Sequence, residues 1–189
     1  MRTLSCQSTV RDGVIHLELR FKSPDQIFDN SDTSPLPDRE LSEFAEESIT
    51  DYTDGVPLHD LVVMTIALPE DQVIHGMETQ LPEAVRRHFA FRIPQLEHSH
   101  RLSLRYGKRS LMFARVNAAV AVPFLYFTYK HIQEPFYLLI LFGLVMILNW
   151  VTIWDTYEYF VNEYRKQTHI LKVYKKIMNM PVRVALYRW

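Results

Sequence analysis

A chain of 189 residues with 21 basic and 22 acidic side chains carries a formal charge of −1, and its length leaves room for one soluble domain beside a further element. One cysteine excludes an intrachain disulfide and a cysteine-based metal cage, and is the usage of a reducing compartment. Five glycines, with no G-x-x-x-x-G-K-[ST], G-x-G-x-x-G or G-x-S-x-G, argue against phosphate-cradling loops and a nucleophile elbow.

The N-terminus, Met1 to Cys6, lacks the apolar run of a secretory signal, so insertion is expected to be directed from within the chain. Ile15, Leu17, Leu19 and Phe21 alternate with polar residues as on a half-buried strand. Asp12-Gly13 before it is a hairpin signal, which makes Leu4–Val10 its antiparallel partner. Ser23-Pro24-Asp25-Gln26 reads as a short helix start, with Ser23 as N-cap and Gln26 closing a capping box.

Asp29 to Pro37 is dense in turn formers and reads as a loop. Asp38 is expected to cap a second helix whose Leu41, Phe44, Ala45, Ile49 and Tyr52 share a face and which stops at Gly55-Val56-Pro57. The continuous run Leu61 to Leu68, closed by Pro69, has the pattern of a central strand buried on both faces. From Pro82 a helix with the stripe Val85, Phe89, Ile93 and Leu96 is expected, with Pro94 kinking or breaking it.

Two apolar runs follow, Leu111 to Tyr129 and Phe136 to Trp154, each of about 19–20 residues, the length that crosses a hydrocarbon core. The polar segment Lys130 to Glu134 joins them, so the pair reads as a transmembrane helical hairpin. Arg101, Arg105, Lys108 and Arg109 flank its entry; Arg165, Lys166, Lys172, Lys175 and Lys176 flank its exit. Both termini are therefore expected in the cytoplasm. Tyr126, Phe127, Tyr129, Phe136 and Tyr137 mark one interface, and Trp150, Trp154 and Tyr157 the other.

Asp155 to about Met178 is expected to continue as an amphipathic helix, packed antiparallel against Pro82–Lys108. Pro181 ends it, and Val182 to Leu186 alternates like an edge strand returning to the N-terminal sheet. The fold class is thus a small α+β cytoplasmic domain plus a transmembrane α-helical hairpin. Its segments are residues 1–81 (domain), 82–110 (juxtamembrane helix), 111–154 (hairpin) and 155–189 (cytoplasmic helix and C-terminal strand).

Charge is polarised along this plan. Asp25 to Asp60 holds eleven acidic residues against Arg39 alone, a solvated face or a docking surface for a basic partner. Arg86 to Arg115 holds eight basic residues against Glu97, which beside a span points to lipid headgroups rather than nucleic acid.

Polar residues inside hydrocarbon are costly and so informative. Arg115, one turn into the first span, either snorkels to the headgroups or pairs with Asp155. Asn117 falls opposite Leu148–Asn149, and an Asn117–Asn149 amide bond would hold the hairpin together. Ala114, Ala118, Ala119 and Ala121 with Gly143 supply small surfaces for helix contact, and Pro123 would bend the first helix. Tyr157, Phe160 and Tyr164 suit docking of a protein partner below the bilayer.

His98 and His100 beside Glu97 invite a metal reading, but residues two apart on a helix diverge, and no H-E-x-x-H or cysteine pair completes a site. No catalytic residue, metal or cofactor is expected. The succession L-E-L-R-F…Q-I-F-D-N-S-D-T-S-P-L-P-D-R-E-L…E-E-S-I, Leu17 to Ile49, with M-N-M-P-V-R-V at Met178 to Val184, resembles a family of small uncharacterised bacterial two-span membrane proteins with a cytoplasmic N-terminal domain. That resemblance implies architecture and bacterial origin, and no activity.

The function expected is a non-enzymatic accessory, assembly or scaffolding subunit of the bacterial inner membrane, partnered by the lipid bilayer and by other integral membrane subunits or itself. A self-oligomerising pore and a membrane-tethered ligand sensor are the alternatives.

Overall fold

The computed structural model describes residues 5–36, 38–73, 76–130 and 136–188. The chain forms two compact units. One comprises Met1–Leu96 with His169–Trp189, and the other comprises Glu97–Thr168.

The first unit is a four-stranded mixed sheet with helices. Strands β1 (Ser5–Arg11) and β2 (Val14–Arg20) pair antiparallel through the Asp12-Gly13 turn. Both turn residues have positive φ, 51° and 75°, as the tight hairpin with matching twist requires. A crossover containing α1 (Glu43–Asp54) leads to β3 (Leu61–Pro69), parallel to β2 with Leu17 beside Met64. β4 (Val182–Tyr187) lies parallel on the far edge of β3, Ile66 beside Val184, giving the order β1-β2-β3-β4.

Between β3 and β4 the chain runs through α2 (Met77–Lys130), α3 (Phe136–Glu158) and α4 (Tyr164–Asn179). The whole long-helix pair is therefore an elongated crossover connection of a parallel β-α-β unit. The expected return of the C-terminal segment to the sheet is observed, as is the β1–β2 hairpin. Leu4 and the connecting residues His131 to Pro135 lie outside the described residues, as do Pro37 and His75.

One face of the sheet carries the core. Leu17, Leu19 and Phe21 of the β2 segment and Val62, Met64, Ile66 and Leu68 of β3 pack with Ala45 and Ile49 of α1. Leu81, Val85 and Phe89 of α2 and Val173 and Ile177 of α4 complete it. The Phe89 and Tyr174 rings meet edge to face at 5.0 Å, so the expected pairing of these two helices holds within this unit. The sheet's other face stays partly accessible. For that reason β3 alternates over Leu61–Thr65 and is continuously buried only from Ile66, rather than along its whole length.

Several local expectations are corrected. Pro24–Gln26 is one 3-10 turn, and the Ser23 side chain caps nothing; Gln26 Oε1 instead accepts from the Lys22 N–H at 2.9 Å. α1 begins at Glu43, not after Asp38, with the Ser42 hydroxyl accepting from Ala45 N–H. Leu41 is held in a bridge to Phe28, which uses the backbone a longer helix would need, and Asp38 pairs with Arg87. α2 begins at Met77 and continues through Pro82, Pro94 and Pro123 without a break. The second long helix is interrupted by a π-helical segment, Tyr159–Glu163.

Two helical stretches, Met77–Lys130 and Leu139–Asn179, are long and apolar enough to cross a membrane.

Candidate functional site

Within the Glu97–Thr168 unit, α2 turns one seam toward α3. His100, Ser103, Gly107, Ser110, Ala114, Asn117, Ala121, Phe124 and Thr128 alternate steps of three and four, and each is buried or half-buried. That is the heptad spacing by which two helices keep one stripe in contact. Its composition is inverted relative to a soluble bundle: small and hydroxyl-bearing residues line the inside.

Asn117 Nδ2 donates to Thr152 Oγ1 at 3.2 Å and to the Leu148 carbonyl at 3.5 Å. Thr156 Oγ1 donates to the Thr152 carbonyl at 2.9 Å, which leaves the Ser110 hydroxyl to donate to Thr156 at 3.0 Å. Further down, Ser103 donates to Tyr159 Oη at 3.2 Å, and Gln167 reaches both Ser103 and His100. At Gly107 the helices approach closely, since a methyl group added there would overlap the Tyr159 ring.

The outward surface is the opposite. Met112, Phe113, Val116, Val120, Leu139, Ile140, Leu144, Ile147, Trp150 and Trp154 are all at least 51% exposed. Only 11% and 6% of the most apolar stretches of the two helices are buried, so they do not behave as core helices of a soluble domain. From Ser110 to Lys130 the helix rises about 30 Å, matching a hydrocarbon core of about 30 Å.

The π-helical segment has a cause in this seam. On the far helix Asn149, Thr152, Thr156 and Tyr159 hold the three-four rhythm, but Tyr164, which meets His100, follows five residues on instead of four. One residue is in excess. The wide turn absorbs it, with Tyr164 N–H donating to the Tyr159 carbonyl, and both halves of the helix keep facing α2 within this unit.

The residues singled out from sequence fare unequally. Asn117 sits in the seam, but the expected Asn117–Asn149 bond is absent. The helix phase presents Thr152 instead, and Asn149 Oδ1 is buried with no hydrogen-bond partner. Arg115 and Asp155 are both exposed, and no ion pair joins them. Tyr157 is exposed beside Trp154, whereas Phe160 and Tyr164 are half-buried against Tyr159 and His100. Gly143 makes no close approach, because a methyl group there would meet nothing. Thr152, Thr156 and Gly107 were missed. Their heptad spacing is visible in sequence, but hydroxyls in or just beyond an apolar run and a glycine among basic residues draw little notice.

A second polar cluster lies in the sheet unit. Glu46 of α1 is only 9% exposed. Arg92 grips it with Nε and one terminal nitrogen, both at 3.0 Å, His88 Nε2 lies 3.1 Å away, and the Tyr174 hydroxyl donates at 2.8 Å. Leu41 N–H donates to His88 Nδ1 at 3.4 Å, which fixes the tautomer with the proton on Nε2, directed at Glu46. Burial raises the Glu46 pKa, but the bonds from His88, Arg92 and Tyr174 outweigh it and hold the group at about 2. Burial and Glu46 push Tyr174 up to about 12.

Three helices are joined at this one carboxylate, and every acceptor position on it is occupied. It is a clamp that ties the three helices together. Sequence reasoning passed over it because its members are 42 to 128 positions apart. Among the described residues, no three His, Cys, Asp or Glu side chains are grouped to hold a metal ion.

In comparisons with known proteins, no family model, no curated protein and no solved structure matches this chain.

Proposed function

We propose that this protein is a two-span integral membrane protein whose long helices cross the bilayer as a hairpin, with the sheet unit and both termini in the cytoplasm. Its role on this reading is that of a non-enzymatic accessory, assembly or scaffolding subunit beside other membrane proteins or a second copy. One observation carries the membrane part: polar and small groups face inward along the α2–α3 seam while large apolar side chains face outward. Water would reverse that arrangement, and hydrocarbon favours it, because polar groups there must find partners within the protein.

Orientation rests on the basic residues at the two lower flanks, and bacterial origin on the quoted sequence resemblance. A scaffolding role is favoured over conduction because small residues, Gly107, Ala114 and Ala121, line the seam, with Gly107 tight against the Tyr159 ring. It is favoured over catalysis because the one carboxylate buried among the described residues, Glu46, has all its bonds satisfied internally.

The test has two parts. Carbonate extraction of native membranes is expected to leave the protein in the pellet, and release into the supernatant would end the membrane reading. Mild-detergent purification is expected to bring down one integral membrane protein in fixed stoichiometry, lost on Tyr157→Ala. A lone homo-oligomer with ion flux would promote the pore instead.

A further inference from the structure

Just below the apolar surface, the outer side of α2 forms a shallow groove of about 570 Å³ lined by Leu102, Arg105, Tyr106, Lys108, Arg109 and Met112. It is the side of the helix away from the seam residues Ser103, Gly107 and Ser110. Arg105, Lys108 and Arg109 stand three and four residues apart, close enough to converge on one anion. None of the three has an ion-pair partner among the described residues. Asp155 and Glu158, near this level of α3 where Ser110 meets Thr156, are exposed and pair with none of them.

The surroundings specify the anion. Leu102 is 40%, Met112 60% and Tyr106 71% exposed, so the cations sit among uncovered apolar and aromatic surface. From Met112 onward the same side of the helix carries exposed Phe113, Val116 and Val120. A soluble phosphate would satisfy the cations and leave that surface bare. A molecule with a phosphate at one end and an acyl chain running along the helix covers both.

We propose that this groove binds the phosphate of an acidic glycerophospholipid, with Arg105, Lys108 and Arg109 on the headgroup and Met112 and Phe113 against the chain. The inference rests on the membrane reading and goes beyond it, because a bilayer-spanning helix needs no lipid preference. Each cation near an acidic membrane surface contributes about fivefold in partitioning, so three together give a preference on the order of a hundredfold over a zwitterionic lipid.

The experiment is native mass spectrometry of the full-length protein, released from mixed micelles holding equal amounts of phosphatidylglycerol and phosphatidylcholine. Wild type is expected to retain phosphatidylglycerol preferentially. Arg105→Gln/Lys108→Gln/Arg109→Gln is expected to lose most of that preference, while Arg11→Gln/Lys22→Gln, on the sheet unit, keeps it. Arg105→Lys/Arg109→Lys, which keeps the charge, is expected to keep it too.

Equal retention of both lipids by wild type, or an unchanged preference in the triple variant, would overturn the proposal. Displacement of the lipid by inorganic phosphate alone would reassign the groove to a soluble anion and overturn it likewise. Carbonate extraction of the same preparations separates the two readings: a protein that stays in the membrane without lipid preference keeps the proposed function and loses only this site.

Discussion

Replacing Glu46 with glutamine removes the charge on which α1, α2 and α4 converge while keeping the side chain's shape. The amide keeps only one of the two oxygens that the Arg92 fork spans, and the NH2 group in place of the other faces two donors, one prong of that fork and either Tyr174 or His88, so two buried pairings are lost. Holding Glu46 at about 2 in the fold against its ordinary 4.5 corresponds to about 3 kcal/mol of stability favouring the ionised, folded form. Because this pKa is depressed on folding, the contribution is complete above pH 4.5 and disappears as pH falls toward 2.

The assay is urea unfolding of the full chain in mild detergent, followed by far-UV circular dichroism at a series of pH values. Near neutral pH Glu46→Gln is expected to be less stable than wild type by about 2–3 kcal/mol. The gap is expected to narrow below pH 4.5 and to close near pH 2. Equal stability near neutral pH, or a gap that persists unchanged to pH 2, would refute the clamp.

Tyr174→Phe deletes one bond to the same carboxylate and is expected to cost about 1–2 kcal/mol in that assay; because it shares Glu46, its loss adds little in the Glu46→Gln background. Gly107→Ala places a methyl group in the Tyr159 ring and is expected to destabilise the helix pair by about 1–3 kcal/mol. Gly143→Ala, which meets open space, is expected to be neutral or stabilising, and equal thermal stability of the two variants in detergent would refute the seam. Asn117→Leu is expected to cost about 0.6–2 kcal/mol. Asn149→Leu is expected to cost nothing, since its buried oxygen has no partner to lose. A larger loss at Asn149 than at Asn117 in the same thermal measurement would reverse that assignment.

Much of the plan was legible in one dimension because its signals are local. The Asp12-Gly13 turn and the alternation after it give the hairpin, the β-branched run gives β3, and the two apolar runs give the long helices. Helix limits were less legible. Asp38 is as good a cap as Ser42, and only the Phe28–Leu41 bridge, from distant backbone, decides between them.

What the sequence by itself determined is the identity of the elements and the amphipathic logic of each, because propensity and periodicity act over a few residues. What only the tertiary structure decided is which residues meet. β4 lies parallel beside β3, making the long-helix pair a crossover between two strands. Thr152 takes the Asn117 amide in place of Asn149, Gly107 in place of Gly143 takes the close approach, and Glu46 gathers partners from two other helices. Pairings of that kind depend on helix phase and on one extra residue absorbed in a π turn, to which hydrophobic pattern alone is blind.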